Sequence, residues 1–336
     1  MMNNRLIKGS LTMALSALAA NAFAAQEVTV YTAFETDLLA KYKTAFESEN
    51  PDIHIKWIRD STGIMTAKLL AEKNNPRAEV VWGLAGSSMA LLKEEGVLQP
   101  YQPKGVEDLR ANLNDPQDNQ AWYGNDAFFN AVCFNEIVAK QLNLPKPTSW
   151  EDLADPVYKG HIAMPNPASS GTGYMQVSAW INNMGEDQAW DYMKKLDNNI
   201  AHYTHSGSKP CVQAGMGEVA IGISMAVRGA KLKEQGAPLA VITPNGIGWE
   251  SEAVGLVADN AAAKRVVDWS VSKSANELYV ESYPVVAHKE VSAEVSHYPN
   301  VEKVMADMDF AKMGSERSKI LAKWSLKFDS KSEPKS

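Results

Sequence analysis

Two kinds of apolar pattern alternate along the first third of the chain, one typical of β-strands and the other of α-helices. Strand patterns, alternating or continuously apolar, occupy 27–34, 53–58 and 78–84. A helical period follows each strand. In 37–50, for example, Leu38, Tyr42 and Phe46 fall on one face. The repeated strand–helix order predicts a doubly wound α/β unit with a mostly parallel sheet.

A second α/β series follows Tyr123. Its strand patterns lie at the starts of 127–140 and 161–174 and throughout 219–227. A glycine-rich stretch at 243–257 then ends as a strand pattern, and most of the remaining residues carry a helical pattern. We expect the tail from Asp329 onward to be frayed.

A Ser/Thr/Gly-rich turn opens a helical pattern at Ser169–Gly173, directly after two prolines. Helix N-termini carry unpaired N–H groups and a partial positive charge, which suit an anion. The turns after the first three strands, at 32–36, 60–63 and 83–88, also hold small or hydroxylated residues. They lie at the carboxyl ends of strands, where open α/β sheets bind ligands. The alternative for each turn is a serine or threonine that only caps a helix.

The first 24 residues are expected to be a secretory signal peptide. Arg5 and Lys8 precede a short apolar run, and Ala22-Phe23-Ala24 matches the small-x-small cleavage pattern. The apolar run is too short to span a bilayer. The formal net charge is −7, and it becomes more negative without Arg5 and Lys8. This balance argues against a nucleic-acid partner or an anionic membrane surface.

Motifs of catalysis and cofactor binding do not occur in the sequence. There is no phosphate-binding G-x-x-x-x-G-K-[ST] loop, no dinucleotide G-x-G-x-x-G and no G-x-S-x-G elbow, so we expect no cofactor. His202 and His205 are three residues apart but have no third metal ligand near them in sequence. Cys133 and Cys211 have two interpretations, a disulfide of an oxidising compartment or two buried thiols.

Acidic and aromatic residues near the predicted loop ends suit a cation. An ammonium group binds where carboxylates and aromatic faces occur together. The residues concerned are Tyr31, Glu35, Trp82, Trp249, Glu250, Glu252 and Tyr283. Together with the Ser/Thr/Gly turns they favour a small zwitterion over a metal or a sugar.

Several segments together resemble a periplasmic solute-binding protein of an ABC transporter. They are VTVYTAFE, AEVVWGLAGSS, PTSWEDLADPVYKGHIAMPNPASSGTGY, GMGEVAIGISMA and ESYPVVAHKE, spread over nearly the whole mature chain. Within that superfamily the chain is similar to the ferric-ion-binding branch and, more closely, to the 2-aminoethylphosphonate-binding proteins.

One departure from the ferric branch bears on the ligand. Iron-binding members carry an adjacent Tyr-Tyr pair after the strand that follows G-E-V, and this chain has Val227-Arg228 there. A site for a hard cation without those phenolates is doubtful. An arginine at the cleft would suit a phosphonate, which it can bind bidentately, whereas Arg228 beyond the strand end could also be a surface residue.

The resemblance implies a type II periplasmic binding protein fold, with two doubly wound α/β lobes joined by a two-segment hinge. The expected parts are a first lobe of 25–124 and 244–290, a second lobe of 125–243, and C-terminal helices in 291–336. The expected function is a non-enzymatic, monomeric periplasmic protein that captures 2-aminoethylphosphonate and delivers it to an inner-membrane ABC permease. No metal is expected at the site.

The residues assigned to each end of the ligand follow from this interpretation. The phosphonate side comprises Ser61, Thr62, Ser87, Ser169, Ser170, Gly171, Thr172, Gly173, Ser206, Ser208 and Arg228. The ammonium side comprises Tyr31, Glu35, Trp249 and Glu252. The alternatives are a binding protein for Fe(III) or another phosphorylated solute and, from a different class, a secreted hydrolase or transferase.

Overall fold

A computed structural model describes residues 25–301 and 303–334. The expected signal peptide, residues 1–24, lies outside the described residues. The strands are β1 (Gln26–Thr32), β2 (Ile53–Arg59), β3 (Val80–Ala85), β4 (Trp122–Asn135), β5 (Ile162–Pro165), β6 (Ile200–Thr204), β7 (Ile221–Met225), β8 (Leu239–Ile242) and β9 (Trp249–Leu256).

Helices separate most of these strands, as the sequence pattern predicts. They are α1 (Thr36–Glu49), α2 (Thr62–Ala71), α3 (Gly86–Glu94), α4 (Glu136–Leu142), α5 (Gly171–Met184), α6 (Glu186–Asp197), α7 (Lys209–Met216), α8 (Ala226–Glu234), α9 (Ala261–Ser270), α10 (Lys273–Tyr279) and α11 (Phe310–Phe328). None of the helices in 25–301 or 303–334 is both long enough and apolar enough to cross a membrane.

Strand β4 belongs to both halves of the molecule. Its residues 122–129 pair with β9, and its residues 130–135 pair with β7 and β8. Across the sheet the order is β2-β1-β3-β9-β4-β7-β5-β6, with β8 also beside β4. We call β1–β3, β9 and the first half of β4 the first lobe, and the second half of β4 with β5–β8 the second lobe. The chain therefore passes between the lobes within β4 and again between β8 and β9.

The core follows from the strand patterns. Strands β3, β4 and β9 are buried along their whole length, as strands covered on both faces are. Beneath the first lobe, the rings of Phe34, Tyr42 and Tyr279 stack or meet edge to face at centroid distances of 5.1–6.2 Å. In the second lobe, Cys133 of β4 and Cys211 of α7 are joined by a disulfide.

The C-terminal region differs from the expectation of several helices and a frayed tail. Helix α11 begins only at Phe310, because Asp309 caps it by accepting a hydrogen bond from the Lys312 N–H. The segment before it pairs with the chain instead, through an isolated bridge between Ile247 and Met305. The tail prediction is also wrong for 329–333, since the Glu333 N–H donates to the Tyr203 carbonyl at 2.9 Å.

Candidate ligand-binding site

A small cavity lies where the two lobes meet. Its volume is only about 30 Å³, room for a water molecule or two, so a larger ligand enters only when the lobes move apart. The lining residues are Ala33, Glu35, Arg59, Ser61, Thr62, Phe128, Ser170, Gly171, Thr172, Ser206, Gly207, Met225 and Glu252. Eight residues predicted from the sequence are among them: Glu35, Ser61, Thr62, Ser170, Gly171, Thr172, Ser206 and Glu252.

Two helix N-termini face each other across this cavity. Helix α2 of the first lobe begins after Ser61, and helix α5 of the second lobe begins after Ser170. Both preceding residues have extended backbones, as N-cap residues do. The Gly171 and Thr172 N–H groups donate to no acceptor within the described part of the chain. These free donors and the two helix dipoles form an anion cradle.

Glycines let the two helix ends approach closely. The Gly63 N–H of α2 donates to the Ser169 carbonyl of the second lobe at 2.8 Å, a hydrogen bond between lobes. A Cβ on Gly63 would lie 2.7 Å from the Ser169 carbonyl oxygen, and one on Gly171 would lie 2.8 Å from Thr62 Oγ1. Both distances are shorter than real Cβ contacts. Side chains here would therefore force the lobes apart.

The loop between β6 and α7 forms the third side of the cradle. Ser206 and Gly207 line the cavity, and a Cβ on Gly207 would lie 2.9 Å from Ser170 Oγ. The loop is held from behind, because Ser224 Oγ donates to the Gly207 carbonyl at 2.6 Å. Ser208 lies outside the cavity lining and instead pairs its hydroxyl with that of Ser206 at 3.1 Å.

Arg59, at the end of β2, is the one lysine, arginine or histidine among the residues that line the cavity. It is half-buried, and its Nε donates to the Phe34 carbonyl at 3.1 Å, which fixes the side chain. Sequence reasoning missed Arg59 because it directly follows the alternating strand pattern of 53–58 and lies just before the predicted turn. The available signal was its position just before the Ser61 turn, at a strand's carboxyl end.

The opposite side of the cavity is acidic. Glu252 of β9 lines it and is 6 % exposed, and its register partner on β4 is the fully buried Asp126. Burial raises the pKa of Glu252 to about 8; hydrogen bonding with Tyr283 and Asp126 and the charge of Arg59 oppose the rise, and the charge of Glu35 adds to it. Burial and the adjacent Glu252 also raise the pKa of Asp126. Sequence reasoning missed Asp126, since it stands in the strand-like run WYGNDAFF.

Arg228 lies at the mouth of the cleft and not in the cradle. Its guanidinium, on α8 of the second lobe, pairs with the Glu35 carboxylate of the first lobe and lies 3.5 Å from Asp37. Lys231, one turn further along α8, also pairs with Asp37. In this structure Arg228 is therefore outside the cavity lining, and the Glu35 carboxylate, which does line the cavity, is paired with it.

Two predicted ammonium ligands point elsewhere. The Tyr31 hydroxyl donates to Glu72 at 2.9 Å, and Trp249 Nε1 donates to the Ala306 carbonyl at 2.9 Å. Neither residue lines the cavity. Trp249 and Glu252 are three residues apart in one strand, so their side chains leave opposite faces of the sheet.

Three predicted phosphonate ligands have structural roles instead. Ser87, at the start of α3, is fully buried, and its N–H donates to the Glu250 carboxylate at 2.7 Å. The Gly173 N–H donates to Ser170 Oγ at 3.3 Å and so closes the helix cap. The Ser169 hydroxyl donates to the His205 carbonyl at 3.0 Å, away from the cavity.

No group of three or more His, Cys, Asp or Glu side chains in 25–301 and 303–334 has the arrangement of a metal site. The cleft therefore offers an incoming molecule an anion cradle, one arginine, an acidic wall, and Phe128 and Met225 as apolar contacts. This combination suits a small organic anion with a polar or cationic second end.

Comparison with known families agrees with this arrangement. Residues 75–306 match the model of the bacterial extracellular solute-binding proteins. The chain belongs to this family. An uncharacterised protein of Haemophilus influenzae is 30% identical to it over 303 residues, which are 86% of this chain and 87% of that protein. The family and its relatives are transport-related binding proteins, which implies a small-molecule ligand, a permease partner and a location outside the cytoplasmic membrane.

A solved relative confirms the fold of this binding protein. The periplasmic binding protein AfuA of Actinobacillus pleuropneumoniae, solved with exogenous fructose 6-phosphate bound, superposes with a TM-score of 0.85. It is 29% identical, and the match covers 90% of this chain and 99% of AfuA. A Salmonella typhi protein described provisionally as a 2-aminoethylphosphonate-binding periplasmic protein is 23% identical over 73% of each chain. The predicted type II binding-protein fold is confirmed.

Proposed function

We propose that this binding protein captures a small organic phosphonate or phosphate monoester in its interlobe cleft, with 2-aminoethylphosphonate as the favoured ligand, and delivers it to an ABC permease. The observation that carries the proposal is the pair of opposed helix N-termini, α2 and α5, at one end of the cavity. Fixed donors on both lobes, the Gly171 and Thr172 N–H groups and the Ser61 hydroxyl, can bind the oxygens of one phosphoryl group at the same time.

The phosphoryl end has a complete set of donors. Gly171 and Thr172 supply backbone N–H groups, and the hydroxyls of Ser61 and Ser206 stand on the other two sides of the cradle. Arg59 supplies the positive charge that a phosphoryl dianion needs beyond the helix dipoles. Charge-assisted hydrogen bonds of about 1.5–3 kcal/mol each make micromolar affinity reachable with a few such contacts.

The favoured ligand follows from the acidic end. Glu252 lines the cavity with its Oε2 accepting no hydrogen bond in the described chain, and Asp126 stands beside it. A ligand ammonium would supply the missing donors and the missing positive charge together. A purely anionic ligand would instead bring negative charge towards two buried carboxyl groups.

A sugar phosphate is the second candidate. AfuA, at 29% identity, holds fructose 6-phosphate, and protonated carboxyl groups can exchange hydrogen bonds with hydroxyls. The two candidates share the cradle and differ only at Glu252. They can therefore be separated by ligands that carry the same head and different tails.

Calorimetric titration of protein stripped of ligand by unfolding and refolding tests the proposal. The ligands are 2-aminoethylphosphonate, ethylphosphonate, fructose 6-phosphate and inorganic phosphate. We expect one-to-one binding of 2-aminoethylphosphonate in the micromolar range or tighter, with ethylphosphonate weaker and phosphate weaker still. Tight binding of fructose 6-phosphate without 2-aminoethylphosphonate binding would favour the second candidate. No binding of any of the four would contradict the proposal.

A further inference from the structure

Asp126 and Glu252 form a buried carboxyl pair in the hinge strands. They face each other in the β4–β9 register, next to a shift of that register between Gly124 and Asp126. Asp126 is 0 % exposed. Both of its carboxylate oxygens, and Oε2 of Glu252, accept no hydrogen bond within the described part of the chain. Two ionised carboxylates left in this way would carry a high desolvation cost.

The groups around the pair do not neutralise it. Four tyrosines face it from helix α1, helix α10 and the segments after α10, namely Tyr42, Tyr279, Tyr283 and Tyr298. Burial raises the pKa of each far above its ordinary value, so all four are neutral. The charged groups that face Glu252 are Arg59, which favours its ionised form, and Glu35, which opposes it.

A proton shared between the two carboxyl groups resolves this arrangement. Like charges in a dry site do not both ionise, and the bound proton gives the pair a donor of its own. Burial raises the pKa of both groups, which agrees with at least one proton being held at pH 7.

We infer that Asp126 is a specificity-determining partner of Glu252: the two carboxyl groups hold a proton between them until a ligand ammonium enters, and then release it to solvent. The inference rests on the proposed function, because it needs an ammonium-bearing ligand. The O–H bond of one carboxylic acid breaks, the proton passes to buffer, and the resulting carboxylate pairs with the ammonium cation. A ligand with the same head and no ammonium leaves the proton in place.

Calorimetry in two buffers of different ionisation enthalpy counts the protons released. The proton count of a ligand is the release that remains after subtracting the proton that its own phosphonate head gives up, because the ammonium makes the head of 2-aminoethylphosphonate a stronger acid than that of ethylphosphonate. At pH 7 we expect the count for 2-aminoethylphosphonate to exceed that for ethylphosphonate by about one. Equal proton counts for the two ligands would overturn the inference while leaving the proposed function standing. Binding of neither phosphonate would overturn both.

The variant Asp126→Asn tests the role of Asp126 itself. It keeps the shape of the side chain and removes its titration, so the extra proton release should fall to near zero. Ethylphosphonate affinity should stay within about twofold, because the cradle is untouched. A merely structural role for Asp126 predicts the opposite, with equal loss for both ligands and unchanged proton release. Should Asp126→Asn fail to fold, Glu252→Gln must also abolish the extra release, and its retention would overturn the inference.

Discussion

The two ends of the cleft are built in opposite ways. The cradle is assembled largely from backbone, with N–H groups at a helix end and glycines that permit close approach, such as Gly63 and Gly171. The Ser61 and Ser206 hydroxyls and Arg59 complete it. The acidic end is assembled from the side chains of Asp126 and Glu252, on neighbouring strands. Backbone donors recognise a phosphoryl group whatever is attached to it, whereas two side chains can change with a single substitution. Under the proposed function, the fold therefore selects the head of the ligand and side-chain chemistry selects its tail.

The ends also differ in their dependence on closure. The cradle needs both lobes, since α2 and α5 lie on opposite sides of the interlobe hydrogen bond from Gly63 to Ser169. The acid pair lies within the β4–β9 ladder and is complete in one lobe. A substitution that opens the cleft should thus weaken binding of every ligand, and a substitution in the pair should discriminate among ligands.

The largest expected effect concerns the acidic end of the cleft and is a change in the stability of the protein with pH. The folded-state pKa of Glu252, about 8, lies above the ordinary glutamate value of 4.5, so the native protein binds more protons than the unfolded chain between these values. Stability from this group is therefore fully present below pH 4.5 and is lost as pH rises through 8. Relative to Glu252→Gln, the free energy of unfolding of the wild-type protein should fall by up to about 4 kcal/mol between pH 5 and pH 8.

Urea unfolding at four pH values across this window measures the difference between the two proteins. The wild-type-minus-variant difference reports the carboxyl pair, because Glu252→Gln also removes the influence of Glu252 on the pKa of Asp126 and leaves the distant groups unchanged. A difference that does not change with pH would mean that Glu252 is ionised throughout.

The second prediction separates the two ends by ligand. Glu252→Gln should weaken the binding of 2-aminoethylphosphonate by about 1.5–3 kcal/mol, which is roughly a 10- to 150-fold rise in Kd, because a charge-assisted contact is lost. Ethylphosphonate should bind wild type and variant alike. Titration calorimetry with both ligands measures this, and equal losses would contradict an ammonium site at Glu252.

The third prediction concerns the close contact between the two helix ends that form the cradle. Gly63→Ala places a Cβ against the Ser169 carbonyl, so closure should cost about 1–3 kcal/mol and every phosphonate should weaken roughly 5- to 150-fold. Gly215→Ala is the matched control, since a Cβ there meets its nearest neighbour at an ordinary 3.6 Å. Unchanged affinity in Gly63→Ala would mean that ligand binding does not need this interlobe contact.

Much of the cradle could be predicted from the sequence. The strand and helix patterns place Ser61 and Thr62 at the carboxyl end of a parallel strand, which is where such folds bind ligands. The Ser170–Thr172 turn was predictable for the same reason and from its cap-like composition. These residues could be predicted because the start of a helix is determined by residues that are adjacent in sequence.

The acidic end was harder to predict, because its partners meet only through tertiary structure. Asp126 and Glu252 are 126 positions apart in the chain, and the signal that pairs them is the antiparallel register of β4 and β9. Trp249 lies outside the cavity lining for a related reason, since proximity in sequence does not give a shared face within a strand. Sequence reasoning also could not supply Glu35, the interlobe partner of Arg228.

The smallest expected effect tests that ion pair at the mouth of the cleft. Arg228 and Glu35 are each about 15 % exposed, so breaking the pair should cost about 1 kcal/mol of closure and weaken all phosphonates about fivefold. Lys231→Ala is the control, because the more exposed Lys231–Asp37 pair should matter less. If Arg228 only holds the lobes together, Arg228→Ala combined with Glu35→Gln should cost no more than either alone, as calorimetric Kd values would show. Additive losses would instead place Arg228 on the ligand, because its contribution would then not depend on Glu35.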